Sequence, residues 1–388
     1  MGEDTAEYRI VDGHNDVLLR VYEELRDGPA DAPTVSDDGV GPLLEGEDGV
    51  GSLFENEDSV GSFLEGRDGH VDLPRAIEGG LAAGFFAAFV SNDLDPGSPD
   101  LSAIDFDAGE VPPPVDPAVA ARATRVQFAL LSRWADAHDR FRIVESVADL
   151  DACLADDCLG AIPHVEGAGG IAADLSNLEE LVADGLRSVG LTWSRPNAFA
   201  HGVPFVHGST PDHGPGLTDA GRSLVRACND RGVVVDCAHL NAAGVRDVLA
   251  ETEQPPVVSH AGVHEICPSS RNVTDEQLRA IADREGIVGL TFATRFLHPD
   301  GDDDRELPLS TLLDHLDHAV GVAGVEHVAL GSDFDGARVL SAVDDVTGLP
   351  ALFDAIEDRG YSRRECELLA HGNWRRVLAA TWGGNSPG

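Results

Sequence analysis

The sequence has no lysine. All 27 of its basic residues are arginine, set against 69 aspartates and glutamates, for a formal charge of −42. A surface this acidic repels nucleic acid and anionic membranes, which argues against both as partners. Dense carboxylates without lysine resemble proteins of salt-accumulating microbes, where high ionic strength screens the self-repulsion. A halophilic, cytoplasmic protein is therefore expected. No window reaches the roughly 18 apolar residues of a membrane span. The opening MGEDTAEYRI lacks a basic segment followed by an apolar run, and the closing TWGGNSPG lacks a hydrophobic tail for a lipid anchor. The six cysteines (Cys153, Cys158, Cys228, Cys237, Cys267 and Cys366) are scattered, with no Cys-x-x-Cys pair, so reduced thiols are expected.

What is present is enough apolar residue, 42% of 388, for a large core. One segment repeats: DGVGPLLEGE, DGVGSLFENE and DSVGSFLEGR follow one another from Asp38 to Arg67. Three such acidic steps are too few for a solenoid. Residues 31–69 are expected to form a solvated insertion after the first strand, within a single domain spanning 1–388. Its Val, Leu and Phe are candidates for docking on the barrel rim or on a partner.

Elsewhere short apolar runs recur at YRIVDGH, GFFAAFVS, GAIPHVEG, RSVGLTW, GVVVDCAH, PPVVSH, GIVGLTFA and HVALGSDFD. Between most of them lie helical patterns with cap signals, such as TDAGRSLVRACNDRG and TDEQLRAIADREG. Eight strands alternating with helices predict a parallel (β/α)8 TIM barrel, with helices from about residue 359 closing it. A doubly wound open sheet is the competing architecture, but no Gly-x-Gly-x-x-Gly follows the first strand.

In such a barrel the C-terminal strand ends form the active-site face. Those ends carry His14 and Asp16, then Glu166, His239, His260 and Asp333. Imidazoles and carboxylates from five strands suit divalent metals: zinc by ligand type, with Mn, Co and Fe as alternatives. The set fits two ions better than one. With no lysine to carbamylate, Glu166 is the candidate bridge. Water held between two cations is acidic enough to serve as a hydroxide nucleophile, and Asp333 is placed to pass its proton to a leaving amine.

The order DGHND, VEG, GLTDAGRSLVRACNDRGVVVDCAH, VVSHAGVHEICPSSRNVTDE and GSDFDG resembles the membrane (renal) dipeptidase family of binuclear zinc peptidases. The resemblance implies that His14, Asp16 and Glu166 hold one zinc and that Glu166, His239 and His260 hold the other. It further implies that Arg271 pairs with the substrate carboxylate and that Asp333 lies near the scissile bond. Two positions depart from the family pattern. Trp193 stands in LTW where a histidine is common, so this substrate-contacting residue cannot become a cation; His201 could compensate only from an inward-folded loop. Cys237 stands in DCAH where DLSH or DVSH is common, and is expected to be a packed thiol. His164, two residues before Glu166, is a candidate to support the ligands by hydrogen bonding. The implied activity is hydrolysis of dipeptides. A related amidohydrolase acting on N-acyl amino acids or β-lactams and a non-catalytic, metal-retaining binding protein are the alternatives. A homodimer is the one assembly held open.

Overall fold

The computed structural model describes residues 7–26, 58–66, 69–95 and 98–383. Among these residues nine parallel strands are formed: β1 (Ile10–Asn15), β2 (Leu81–Phe89), β3 (Phe141–Ile143), β4 (Leu159–Glu166), β5 (Ser188–Gly190), β6 (Val234–Asp236), β7 (Val257–Ala261), β8 (Ile287–Leu290) and β9 (Val328–Leu330). Eight of them make the wall in the order β1-β2-β4-β5-β6-β7-β8-β9, while β3 pairs only with the first half of β4. The eight wall strands are those expected from the apolar runs. They read as unbroken runs because a parallel strand between core and helices is buried on both faces, as every residue of β1, β2 and β4 is.

The ring closes between β9 and β1 through residues just beyond the regular ladder. Asp16 N–H donates to the Phe334 carbonyl at 2.8 Å, and Asp333 N–H donates to the His14 carbonyl at 3.1 Å. Closure is thus made by the backbone of candidate ligands, which ties the fold's last step to the geometry of the site.

Helices fill the outer layer, and their ends follow the cap signals. Thr218 accepts from Gly221 N–H to start Asp219–Arg231, and Gly232 ends it at φ 66°. Thr274 and Gln277 form a capping box for Asp275–Ala282, where Glu285 rather than Gly286 takes the left-handed turn. At the bottom of the barrel Trp374, from Asn373–Trp382, is fully buried with Val11, Phe85, Val257 and Ile287, and its indole N–H donates to the Leu330 carbonyl at 3.0 Å. This is the closure expected of the C-terminal helices.

Of the repeat insertion, residues 31–57 and 67–68 lie outside the described residues. Its last step forms the helix Asp58–Glu65. Phe63 is fully buried there, stacked on Trp134 at 4.2 Å and edge-on to Phe141 at 5.5 Å, so solvation does not extend to this residue. All six cysteines are unpaired and buried, and no helix among the described residues is long and apolar enough to cross a membrane.

Candidate metal centre

The strand ends bring the predicted ligands together. His14 Nε2 lies 3.2 Å from Asp16 Oδ2 and 3.7 Å from Glu166 Oε2. Glu166 Oε1 faces the other way, 3.0 Å from His239 Nε2 and 3.8 Å from His260 Nε2. Among the described residues, three overlapping groups have donor atoms within 4.8 Å of one another: His14, Asp16 and Glu166; Glu166, His239 and His260; His14, His260 and Asp333. All six residues are buried. A fourth group, Glu265, Asp275 and His318, lies nearer the surface, and its Asp275 already pairs with His318 and Arg279 at 2.7 Å.

The polar atoms of the first three groups fit cations better than one another. Both ring nitrogens of His14 and Asp16 Oδ1 are buried without a hydrogen-bond partner. His239 Nε2 and His260 Nε2 stand 3.1 Å apart, so two lone pairs face each other unless one nitrogen carries a proton. Burial holds Glu166 up at about 8 against the pull of His14, with Asp16 and Asp333 adding to the rise. Burial opposes the charge on His14, yet Glu166 and Asp16 outweigh it and push that imidazole up to about 10. Burial, then the Arg271 charge at His239 and the His14 charge at His260, drives those two imidazoles well down. Burial also raises Asp333 to about 6. A divalent ion at each group would supply the positive charge that this cluster otherwise draws from protons.

Backbone strain concentrates here as well. His239 and Asp333 adopt φ of 62° and 64°, left-handed values that cost a non-glycine residue about 1–3 kcal/mol each. Two aspartates brace the neighbouring strand ends. Asp12 accepts from Ser332 N–H at 2.6 Å and Ser332 Oγ–H at 2.7 Å. Asp236 grips Ser259 in the same way, at 2.8 Å and 2.6 Å. Neither grip was visible in the sequence, since each joins segments far apart in the chain. The only hint was an aspartate shortly before a candidate ligand histidine in DGHND and in DCAH.

Among the described residues, two buried cations lie around the candidate ligands. Arg271 is fully buried with Nε and Nη2 unpartnered, its Cζ 5.7 Å from the centre of the Phe296 ring. Arg195, which sequence reasoning missed, donates to Asn92 Oδ1 and to the Val90 carbonyl and makes no ion pair among the described residues. Its Cζ sits 5.4 Å from the Trp193 ring centre, and burial lowers both guanidiniums to about 10. Trp193 stands 5.7 Å from the His239 ring, in an aromatic group with Phe89, Phe106 and Phe205. Cys237 is a buried thiol raised by desolvation, beside a cleft with room for little more than a water molecule that Val245, Val258 and Arg271 also line. His164 hydrogen-bonds Ser188 Oγ at 2.9 Å rather than Glu166, and its ring meets His14 edge-on at 5.6 Å.

Comparison with known proteins bears on the whole arrangement. The family model described as membrane dipeptidase (peptidase family M19) matches residues 5–382. A metallo peptidase from Rhodobacter sphaeroides, solved with a phosphinate mimic of the dipeptide L-Ala-D-Ala, is 38% identical with a TM-score of 0.84, the match covering 98% of this chain and 100% of that one. An uncharacterized protein of the pqqA 5′ region of Klebsiella pneumoniae is 39% identical over 257 residues, 66% of this chain and 95% of its own. The probable dipeptidase PvdM from Pseudomonas aeruginosa, 21% identical with a TM-score of 0.71 over 82% of this chain and 90% of its own, shares the fold. With a family match running over nearly its full length, the chain belongs to the membrane dipeptidase family, peptidase family M19, and is a metal-dependent hydrolase of the dipeptidase type.

Proposed function

We propose that the enzyme cleaves the peptide bond of free dipeptides with two divalent ions, zinc by ligand type. His14, Asp16 and Glu166 would hold one ion, and Glu166, His239 and His260 the other. The observation that carries this reading is Glu166, whose Oε2 faces His14 while its Oε1 faces His239 and His260. When bound, such ions supply an acidified water as nucleophile and polarise the carbonyl.

The protein's own groups do the rest. The unpartnered Nε and Nη2 of Arg271 suit the C-terminal carboxylate of a substrate, and a guanidinium fork recognises a carboxylate bidentately. Asp333, held near 6 by burial, is ionised at neutral pH and basic enough to take a proton and return it to the departing amine. The partly exposed indole of Trp193 gives the substrate an apolar wall and one N–H donor, not a cation. The phosphinate dipeptide mimic in the R. sphaeroides peptidase supports a substrate of two small residues.

Elemental analysis with a dipeptide screen, run with and without chelator, tests the proposal. Two metal equivalents and chelator-sensitive cleavage are expected. A stable value of one equivalent after zinc is offered would overturn the binuclear reading. Faster turnover of N-acyl amino acids or β-lactams than of any dipeptide would overturn the substrate.

A further inference from the structure

Ser259 and His260 are adjacent on β7, at a point where its pairing with β8 shifts register between Val258 and Ala261. The bulge carries the Ser259 carbonyl into a gap made by three glycines. A Cβ at Gly13, Gly289 or Gly331 would come within 2.4, 2.0 or 1.9 Å of that oxygen. Only glycine on β1, on β8 and just after β9 lets the strand sit there. Asp236 then fixes the Ser259 side chain from β6. Its Oδ1 accepts the Ser259 N–H at 2.8 Å and its Oδ2 accepts the hydroxyl at 2.6 Å. The remaining neighbour of the hydroxyl is His260 Nδ1, at 2.8 Å.

A hydroxyl has one proton and two lone pairs. Because the Ser259 proton is committed to Asp236, its oxygen can only accept from His260. His260 Nδ1 must then carry the imidazole proton, which leaves Nε2 with a bare lone pair. That nitrogen points toward His239 Nε2 and Glu166 Oε1, at 3.1 Å and 3.8 Å. We propose that Asp236 and Ser259 are positioning residues that lock His260 in the tautomer able to bind a metal through Nε2. The proposal rests on the reading of His260 as a ligand.

Two internal comparisons support it. His239 Nδ1 also meets a serine, Ser194 Oγ at 2.8 Å, but no carboxylate among the described residues accepts that hydroxyl's proton, so Ser194 can donate or accept. Asp12 grips Ser332 as Asp236 grips Ser259, but Ser332 Oγ then accepts from Phe334 N–H at 3.1 Å, and no imidazole is involved. The grip serves strand placement in both copies. Of these three serines, Ser259 alone has a spare lone pair that selects a tautomer.

The test uses the full-length chain labelled with 15N-histidine, freed of metal and observed by long-range 15N–1H correlation, with the His260 signal assigned by its loss in His260→Gln. A protonated Nδ1 and bare Nε2 are expected at His260 in the wild type. Ser259→Ala and Asp236→Asn should each give a mixture of tautomers. Both should also weaken one of two zinc equivalents about 10–100-fold in chelator competition. Ser259→Thr, which keeps the hydroxyl, should restore both readouts. A proton on Nε2 in the metal-free wild type overturns the lock without need of any variant. So does unchanged zinc affinity in Ser259→Ala when His260→Gln loses an equivalent. If His260→Gln retains both equivalents, the ligand assignment itself fails, which is distinguishable from failure of the lock.

Discussion

The two ends of the barrel are built from the same strands and could hardly differ more. At the N-terminal end Trp374, Phe85, Val11, Val257 and Ile287 are packed together, and the one polar atom of Trp374 has its partner in the Leu330 carbonyl. At the C-terminal end five buried candidate ligands crowd together with Asp333 and Asp12, the ring nitrogens of His14 have no hydrogen-bond partner, and His239 and Asp333 bear left-handed backbones. Burial of apolar surface at one end offsets desolvated charge at the other. The site can therefore be electrostatically conflicted without unfolding the chain. Substitutions at the two ends should have separable consequences: chemistry without stability above, and stability without chemistry below.

The sharpest break in this comparison is expected at Asp333. Asp333→Asn removes the proposed proton carrier and should lower kcat by about 10²–10⁴-fold, while metal content and melting temperature stay close to wild type. The pH profile adds a sign. Burial raises this carboxyl to about 6, so it is protonated and unable to accept a proton below that value. Wild-type kcat/KM should fall as pH drops through that region, and the Asn variant should lack this acid limb. Loss of metal in the variant would instead make Asp333 a ligand, as its grouping with His14 and His260 allows.

The mirror experiment is Trp374→Ala, which empties the other end. Loss of a fully buried tryptophan should cost about 3–5 kcal/mol of stability, read by urea unfolding. The folded fraction should retain wild-type kcat/KM. A large fall in kcat/KM with little loss of stability would show that the two ends are not independent.

A smaller effect, confined to the upper end, concerns Arg271. Amidating a dipeptide leaves this buried guanidinium without an anion, which should cost about 2–5 kcal/mol, roughly 30-fold or more in kcat/KM. Comparing free-acid and amidated dipeptides in wild type and in Arg271→Ala checks this, with discrimination expected only in the wild type. Arg271→Lys should fall between them, because an ammonium keeps the charge and loses the fork.

Much of the barrel could be read from sequence because its strands are buried on both faces and their ends carry chemistry. The runs around His14, Glu166, His239 and His260 announced both the strands and the candidate ligands. β3, three residues long and partly exposed, has too little pattern to be seen. The shelf of Trp134, Phe86 and Phe141 under Phe63 is assembled from three segments, so the acidic repeat offered its apolar residues as docking candidates without showing which of them would dock or against what. The grips of Asp12 on Ser332 and Asp236 on Ser259 were hidden for the same reason. Hydrogen bonds across 320 and 23 positions leave no local period, and an aspartate near a histidine reads as a ligand or a turn. Arg195 was passed over because burial, not sequence, separates it from the other arginines.

The smallest effect per residue, and the broadest, belongs to the surface that surrounds both ends. An exposed pair such as Arg375 with Asp151, each side chain 44% exposed, contributes about 0.2–1 kcal/mol. Against such pairs stands an excess of 42 negative charges over the whole chain, whose mutual repulsion acts mainly through solvent. The screening length falls from about 30 Å at 0.01 M salt to about 3 Å at 1 M, so repulsion between neighbouring surface carboxylates is largely removed across that range. The melting temperature should therefore climb steeply from low to molar KCl. The buried ends predict a further result that distinguishes surface screening from a general effect of salt. The stability difference between wild type and Trp374→Ala comes from apolar packing inside the barrel, so it should stay nearly constant while both curves rise together. A flat salt profile would mean that the acidity does not set the stability. Convergence of the two curves at high salt would mean that salt acts on the core, and the separation between surface and interior would fail.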